Sequence, residues 1–268
     1  MDQKVFEILR KLIYEKSGIT LGDNKVALVT ARVGKRLRAL KLETHEAYLD
    51  ILQRDQTGVE LVSLLDAIST NVTSFFREAD HFEFVGKVFS EWVEAGQQRF
   101  RFWSAACSSG EEPYSLAMKL LETVNTAALD VKILGTDIST KVLAHCLKGE
   151  YDESRLETVP RQLLAKYFER QPGDSGSPVW KVRTQLQSMT VFRRLNLSIP
   201  PFPMKGPLDM VFCRNVMIYF DKEVRTRLIS EIYRLLKPGG YLLVGHAESL
   251  TGLDTGFKPV RPSVYVKK

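Results

Sequence analysis

Short apolar runs alternate with amphipathic helical stretches through the C-terminal two-thirds of this sequence. Runs at 99–106, 131–135, 208–213, 241–245 and 263–267 are rich in branched aliphatic and aromatic residues, a composition typical of buried strands. Apolar residues at helical spacing separate several of these runs. Strands that alternate with helices favour a mostly parallel sheet with helices on both faces. The sequence therefore predicts a doubly wound α/β fold.

The N-terminal part of the chain has a purely helical pattern instead. Val5 and Leu9 belong to a stripe of apolar residues at helical spacing, which is typical of a helix that buries one face. Three further helical stretches follow, one of which Thr44 can cap. We therefore predict a small all-helical N-terminal domain at 1–70, followed by the α/β domain at 71–268.

One segment of the α/β domain, at about 168–193, breaks the alternation of strands and helices. Turn-forming Gly, Pro and Ser residues there flank short β-prone pieces such as 179–183. We interpret the segment as a small antiparallel β insertion. A surface loop without regular structure is the alternative interpretation.

The charge balance and the apolar runs exclude some classes of protein. The sequence has 38 Lys and Arg against 32 Asp and Glu, a net charge of +6, which by itself does not indicate nucleic-acid binding. No apolar run approaches the roughly 18 residues that a membrane-spanning helix needs. We therefore expect a cytoplasmic protein that does not insert into a membrane.

Cysteine and histidine spacing gives no sign of a metal centre. The three cysteines are far apart and show no C-x-x-C spacing, so neither a disulfide framework nor a zinc site is indicated. His45, His81, His145 and His246 are scattered, without the H-x-x-x-H or H-E-x-x-H spacing of zinc sites. We therefore predict structural roles for the histidines and no metal.

Polar residues follow three of the predicted strands. In open α/β sheets the ligand binds beyond the carboxyl ends of the strands, which brings 104–112, Asp137 and 214–215 around one crevice. The loop at 104–112 has one glycine, and Glu111 and Glu112 open its helix, so it does not suit a pyrophosphate. An acid placed like Asp137 can hold a ribose. These features favour a ligand with a ribose, no phosphate and a positive charge, as in S-adenosylmethionine.

Each of these acidic residues also has a simpler interpretation. Glu111 and Glu112 suit compensation of the helix dipole, worth about 0.3 to 1 kcal/mol each. Asp137 suits an N-cap for the helix that follows it. The spacing alone does not favour either interpretation over cofactor binding.

Three long motifs, in order, carry a resemblance to a known family. They are NVTSFFRE at 71–78, WSAACSSGEEPYS at 103–115 and FCRNVMIYF at 212–220, and LKPGG at 236–240 and GHAES at 245–249 extend the match. Together they closely resemble the bacterial chemotaxis receptor glutamate O-methyltransferases, the CheR-type enzymes. The resemblance covers nearly the whole chain, including the all-helical N-terminal domain and the β insertion.

The resemblance implies a Rossmann-like sheet, S-adenosylmethionine as the cofactor and S-adenosylhomocysteine as the product, with no metal. By similarity, the cofactor pocket comprises Asn71, Thr73, Arg77, Glu112, Asp137, Asn196, Leu197, Arg214 and Asn215. Arg77 and Tyr219 are the family's candidates for the reacting end of the site. The alternative interpretations are a solvated charge at the start of a helix for Arg77 and a core aromatic with its hydroxyl at the surface for Tyr219. A substrate glutamate is already ionised at pH 7, so methyl transfer to its oxygen needs no general base.

The resemblance also implies the partners. The substrate is the cytoplasmic helical region of chemotaxis receptors, and in some members of the family the β insertion binds a receptor tail peptide. We expect a monomer that does not bind nucleic acid. A run of six cations without an intervening acid, Lys25, Arg32, Lys35, Arg36, Arg38 and Lys41, suits docking to an acidic receptor surface. A solvated helix face is the alternative interpretation of this run.

Functions of other classes remain as alternatives. The predicted helix from Lys25 to about Leu40, which carries most of the six cations, is called the basic helix below. A nucleic-acid methyltransferase would suit this helix, but 213–216 lacks the Asn/Asp-Pro-Pro-aromatic turn associated with enzymes that methylate the amino groups of flipped bases. A small-molecule methyltransferase would not need the helical head. A non-catalytic module that binds S-adenosylmethionine is the third alternative.

Overall fold

The computed structural model describes residues 1–69, 71–126, 128–173 and 176–268, so the predicted domain boundary at residue 70 lies outside the described residues. Four helices form the N-terminal part. They are α1 Gln3–Ser17, α2 Val26–Leu40, α3 His45–Arg54 and α4 Val59–Ile68. Together they form the helical head, which confirms the all-helical prediction, while the domain limits stay a prediction.

Local capping and a separate apolar core explain why the head folds this way. The side chain of Asp2 accepts a hydrogen bond from the N–H of Val5 at 2.8 Å and thereby caps α1. Gly18 ends α1 in the left-handed conformation, with a φ of 70°. The apolar stripes of the four helices then meet in one buried cluster, which includes Phe6 and Val33.

The other helices surround two sheets. They are α5 Ala79–Glu94, α6 Glu111–Thr123, α7 Thr140–Lys148, α8 Arg161–Tyr167, α9 Thr184–Met189 and α10 Lys222–Leu235. The strands are β1 Arg99–Ser104, β2 Asp130–Asp137, β3 Glu150–Tyr151, β4 Phe168–Pro172, β5 Pro178–Val182, β6 Thr190–Arg194, β7 Leu208–Cys213, β8 Leu236–Val244, β9 Phe257–Arg261 and β10 Val264–Lys267. Among the described residues, no helix has both the length and the apolar character that crossing a membrane requires.

The main sheet has seven strands in the order β6-β2-β1-β7-β8-β10-β9. The first five are mutually parallel, whereas β10 runs antiparallel to both of its neighbours. Consecutive residues of β1 pack on opposite faces of the sheet: Phe102 packs with α5 and α6, and Trp103 packs with α10. Helices thus cover both faces of a mostly parallel sheet, which confirms the predicted doubly wound fold.

The second sheet is small and antiparallel, with the strand order β3-β5-β4. It confirms the predicted β insertion, although residues 174 and 175 within it lie outside the described residues. The predicted extent of about 168–193 was wrong at its C-terminal end, because 190–194 forms β6 and pairs in parallel with β2 of the main sheet. Burial explains this placement, since Phe192 packs into the core of the main sheet.

Direct hydrogen bonds join the helical head to the main sheet. The hydroxyl of Tyr14 donates to the carboxylate of Asp221 at 2.5 Å, and the side-chain amide of Asn196 donates to the carbonyl of Lys16 at 2.7 Å. Ile19 also forms an antiparallel bridge with a residue after β7. The end of α1 is therefore held against the carboxyl ends of the parallel strands.

Candidate active site

An open cleft lies between the helical head and the carboxyl ends of β1, β2 and β7. Its volume, counted together with the part that is open to solvent, is about 1290 Å³. One wall comes from the head, through residues at 17–28 and 68–69. The other walls come from the linker at 71–77, from the loops after the three strands and from the loop after β6. All the predicted site residues line this cleft: Asn71, Thr73, Arg77, Glu112, Asp137, Asn196, Leu197, Arg214, Asn215 and Tyr219.

The loop after β1 is fixed to the neighbouring strands by its backbone. The N–H of Ala105 donates to the carbonyl of Phe212 on β7, and the N–H of Cys107 donates to the carbonyl of Thr136 on β2, both at 2.8 Å. Gly110 then starts α6 with a φ of 98°, a left-handed conformation that favours glycine. The loop therefore crosses the top of the sheet as a rigid edge of the cleft.

Asp137 ends β2 with its carboxylate at the floor of the cleft. One oxygen accepts the N–H of Ser108 at 2.9 Å, and the other accepts the N–H of Ser139 at 3.0 Å. The N-cap of α7 is Ser139, whose hydroxyl accepts the N–H of Val142, so the alternative interpretation of Asp137 as this cap was wrong. A carboxylate has about four acceptor positions, which leaves Asp137 able to accept further hydrogen bonds from a ligand. Burial raises the pKa of Asp137 above its ordinary value.

The two glutamates at the start of α6 have different surroundings. Glu112 lines the cleft, and it accepts hydrogen bonds from the hydroxyl of Ser104 at 2.7 Å and from Arg214 at 2.9 Å. Burial raises the pKa of Glu112. Glu111 points away from the cleft, where it pairs with Arg155 at 2.6 Å. Only the second glutamate of the motif therefore offers a carboxylate to a ligand.

Arg214 lies buried between two carboxylates at the end of β7. Its guanidinium pairs with Glu112 at 2.9 Å and with Glu78 at 3.0 Å, and it also donates to the carbonyl of Arg77. These contacts join the loop after β7 to the 71–78 segment. Arg214 thus holds two walls of the cleft together while it lines the cleft itself.

Glu248 organises the loop that follows β7, a role that the sequence did not reveal. Its carboxylate accepts hydrogen bonds from five backbone N–H groups. They belong to Asn215, Val216, Met217, Ile218 and Gly245. Both Asn215 and Tyr219 line the cleft, so this buried carboxylate fixes the loop that carries them. Glu248 belongs to the GHAES motif at 245–249, which contributed to the resemblance to the family. The motif alone did not predict these hydrogen bonds.

Arg77 and Tyr219 lie at the same cleft on different loops. The guanidinium of Arg77 is exposed and donates a hydrogen bond to the carbonyl of Val72 at 3.0 Å. Tyr219 is half-buried. Its backbone carbonyl accepts a hydrogen bond from the backbone N–H of Thr20, in the head, at 2.8 Å. Both side chains can therefore reach a group that enters the cleft.

The remaining predicted residues line the cleft with different side-chain contacts. Asn196 uses its amide nitrogen on Lys16 and its amide oxygen on Ser198, so this side chain mainly joins the head to the sheet. Leu197 is buried and gives the cleft an apolar wall. The linker contributes Thr73, together with Asn71, whose carbonyl accepts the hydroxyl of Ser108 at 3.2 Å.

The parallel sheet and the cleft at the carboxyl ends of its strands match the architecture of Rossmann-like nucleotide-binding folds. Residues 71–266 match a family model described as "CheR methyltransferase, SAM binding domain", which makes this an S-adenosylmethionine-dependent methyltransferase. Residues 4–69 match a second model, "CheR methyltransferase, all-alpha domain". The chain therefore belongs to the CheR methyltransferase family, which confirms the resemblance seen in its motifs.

Similar proteins from several bacteria carry the name "Chemotaxis protein methyltransferase". The protein from Borreliella burgdorferi is 37% identical over 266 residues, which cover 97% of this chain and 92% of that protein. The proteins from Salmonella typhimurium and Escherichia coli are each 38% identical over 260 residues, 97% of this chain. The matched residues cover 88% of the Salmonella protein and 89% of the Escherichia coli protein.

Proposed function

We propose that this methyltransferase acts on the side-chain carboxylates of specific glutamates in chemotaxis receptors, forms methyl esters for sensory adaptation, and releases S-adenosylhomocysteine. The exposed guanidinium of Arg77 at the cleft carries this proposal. Among the described residues no carboxylate pairs with it, so it can attract and orient an anionic group. A substrate glutamate supplies that anion.

The nucleoside part of the cofactor fits the acidic floor of the cleft. The carboxylate of Asp137 still has acceptor positions that suit the two hydroxyls of a ribose. Glu112 adds a second carboxylate at the start of α6. This carboxylate suits a cofactor that, like S-adenosylmethionine, has no phosphate. We propose that the cofactor is held by the residues predicted from the sequence: Asn71, Thr73, Arg77, Glu112, Asp137, Asn196, Leu197, Arg214 and Asn215.

The chemical task of the protein is mainly one of positioning. When bound, S-adenosylmethionine supplies a methyl carbon on a sulfonium, so that a bond from the carboxylate oxygen to carbon forms as the carbon–sulfur bond breaks and its electron pair returns to sulfur. No proton moves, because the substrate carboxylate is already ionised. Arg77 orients this carboxylate through a loose contact, and Tyr219 packs or donates beside it. Alignment of the reacting atoms at about 3 to 3.5 Å supplies several kcal/mol.

The direct test uses S-adenosylmethionine with a labelled methyl group and cytoplasmic fragments of a chemotaxis receptor. We expect label on receptor glutamates in the form of base-labile methyl esters, and no label on a fragment whose candidate glutamates are replaced by alanine. Label that resists base, or that appears on nucleic acid or a small molecule, would contradict the proposal. Cofactor binding without transfer to any of these acceptors would indicate a non-catalytic module.

We propose that the receptor docks on the exposed part of the basic helix. Lys25, Lys35, Arg38 and Lys41 are exposed, whereas Arg36 forms two hydrogen bonds with Glu60 at 2.7 and 2.9 Å. Arg36 therefore stabilises the head and is unsuited to a docking test. Contacts between exposed charges are weak, about 0.2 to 1 kcal/mol each, and are screened by salt.

A charge-reversal experiment tests this docking surface. Lys35→Glu with Arg38→Glu should raise the Michaelis constant for receptor, most strongly at low salt, and leave cofactor affinity unchanged. The matched control reverses Lys87 and Arg99, which are exposed elsewhere on the protein. Equal receptor constants for both double variants would show that the basic helix has no docking role.

A receptor tail peptide would have an open strand edge available in the small antiparallel sheet. With the order β3-β5-β4, the strand β4 pairs on one side only among the described residues. We propose this edge as the place where a tail peptide adds a strand. We also propose that the protein works as a monomer, because residues of a single chain line the cleft. Titration with tail peptides, with Arg170→Pro on β4 as the blocking variant, tests the proposed edge.

A further inference from the structure

Two histidines that are far apart in the sequence meet beside the cleft. His81 on α5 and His246 after β8 have ring centroids 5.1 Å apart, with their planes at 77°. Glu78 joins them: its carboxylate oxygen lies 3.4 Å from Nδ1 of His81 and 3.9 Å from Nε2 of His246. One ligand atom from each of the three residues lies within 4.8 Å of the other two.

The environment of His81 is unusual for a structural histidine. Its side chain has no exposed surface, and among the described residues neither ring nitrogen has a hydrogen-bond partner. Buried polar atoms in folded proteins almost always have a partner. An imidazole that is aimed at a glutamate and at a second imidazole, yet makes no hydrogen bond, has a lone pair available for a metal ion.

The distances suit a small tetrahedral ion. Zinc binds histidine nitrogen and carboxylate oxygen at about 2.0 to 2.2 Å, so ligand atoms at the corners of its tetrahedron are about 3.3 Å apart. The Glu78–His81 separation of 3.4 Å agrees with this value, and the separation of 3.9 Å to His246 requires a small side-chain movement. Asp80 lies beside this group, with its Oδ1 3.1 Å from Nε2 of His246, and its half-exposed side chain has to turn toward Glu78 and His81 to become a fourth ligand.

Two arginines lie near the same group and compete with a cation. Arg214 pairs with Glu78 at 3.0 Å, and Arg261 lies 3.9 Å from the carboxylate of Asp80. Arg214 keeps a second carboxylate partner in Glu112, so it stays paired when Glu78 turns toward an ion. The side chains of His246 and Asp80 are about half-exposed, at 52% and 51%, which opens a path for an ion from solvent.

We propose that Glu78, His81 and His246, with Asp80 as the fourth ligand, form a binding site for a divalent transition-metal ion of the zinc type. Two imidazoles favour zinc-like ions over magnesium and calcium, which prefer oxygen ligands. None of these four residues lines the cofactor cleft, so the site is distinct from it. An ion there draws Glu78 away from Arg214, which does line the cleft, and so couples the metal to cofactor binding.

Metal titration of the full chain, produced without a histidine tag, tests the site. We expect one zinc ion per chain by calorimetry and by competition with a chromogenic chelator, and visible bands of tetrahedral cobalt when Co²⁺ replaces zinc. His246→Ala, at a half-exposed position, should lower zinc affinity at least tenfold and abolish the cobalt bands. Asp80→Asn should weaken binding less. His45→Ala, which removes a histidine of the head, is the matched control and should bind like wild type.

Two results would overturn the proposal. One is equal zinc affinity in wild type and His246→Ala, with both variants folded by circular dichroism. The other is the absence of stoichiometric zinc and cobalt binding to wild type. The coupling has its own measurement: zinc should lower the affinity of wild type for S-adenosylhomocysteine several-fold and leave that of His246→Ala unchanged, and an equal effect on both proteins would refute the coupling.

Discussion

Thr20 donates its backbone N–H to the carbonyl of Tyr219 at 2.8 Å, so the helical head is hydrogen-bonded to the loop that carries a candidate catalytic side chain. The neighbouring pair, Ile19 and Phe220, forms an antiparallel bridge. Head residues at 17–28 also line the cleft. The position of Tyr219 therefore depends on how the head sits against the main sheet.

Gly18→Ala should disturb this junction. Gly18 has a φ of 70°, and an added Cβ would lie 2.5 Å from the Cβ of Ser198. The left-handed conformation alone costs a residue with a Cβ about 1 to 2 kcal/mol, and the clash adds to it. Denaturant unfolding and cofactor titration should show lower stability and weaker binding. Gly34→Ala within α2 is the control: its Cβ meets nothing closer than 3.8 Å, so that variant should be at least as stable as wild type. Equal behaviour of the two variants would contradict the strain at Gly18.

Glu248→Gln should loosen the loop after β7. The amide nitrogen that replaces one carboxylate oxygen cannot accept the backbone N–H groups that face it, so at least one of the five hydrogen bonds is lost. We expect a loss of stability of about 1.5 to 3 kcal/mol and slower turnover. Urea unfolding and single-turnover kinetics measure both, with the exposed Glu157→Gln as control. Unchanged stability in Glu248→Gln would show that these bonds contribute nothing net.

Asp137→Asn should weaken cofactor binding without unfolding the sheet. Loss of hydrogen bonds to a charged group corresponds to about 1.5 to 3 kcal/mol, or about 10- to 150-fold in the dissociation constant. Asp130→Asn, at the other end of β2, is the matched control, because it pairs with Arg101 away from the cleft. Calorimetry with S-adenosylhomocysteine makes the comparison, and equal affinities would remove Asp137 from the cofactor site.

Arg77→Ala should slow methyl transfer more than it weakens cofactor binding. If the guanidinium mainly orients the substrate carboxylate, its loss affects the bound reactants, and the single-turnover rate should fall about 10- to 100-fold. Arg99→Ala, an exposed arginine at the start of β1, should leave both quantities unchanged. A larger effect of Arg77→Ala on cofactor affinity than on the rate would show that Arg77 mainly binds the cofactor and does not orient the substrate.

Asp55 should make the stability of the head depend on pH in the acid range. Hydrogen bonds from Thr57 and from the first N–H groups of α4 lower the pKa of Asp55 to about 2, below its ordinary value of 3.8. Because the folded-state pKa is the lower one, the stabilisation is complete above the ordinary pKa and is lost as the pH falls through the folded-state value. Wild type should therefore be more stable than Asp55→Asn above about pH 4 and approach it near pH 2. Thermal unfolding over this range measures the difference, and a constant difference at all pH values would contradict the assignment.

The sequence was sufficient to predict the fold and the edge of the sheet that carries the cleft. Parallel strands present their carboxyl ends at one edge of the sheet, so the sequence alone predicts that the residues after β1, β2 and β7 lie together. Glu112 and Asp137 indeed lie at one cleft. Their role as cofactor ligands stays a prediction.

Contacts between residues far apart in the chain could not be predicted. Asn196 bonds to Lys16 across 180 positions, and no periodicity in the sequence records such a pair. The same holds for His81 and His246, which lack any metal-ligand spacing and meet only through the packing of α5 against the loop after β8. Arg36 illustrates the converse, since a charge that looked exposed in the helical pattern is paired with Glu60.

The head supplies one wall of the cofactor cleft and also carries the basic helix. If the receptor docks on the head as proposed, a change that reaches the residues at 17–28 or 68–69 also alters the wall of the cleft. A change confined to Lys35 and Arg38, which do not line the cleft, leaves that wall intact. Exchange of whole heads between members of the family should therefore change receptor preference and cofactor affinity together, whereas exchange of these exposed cations alone should change only receptor preference.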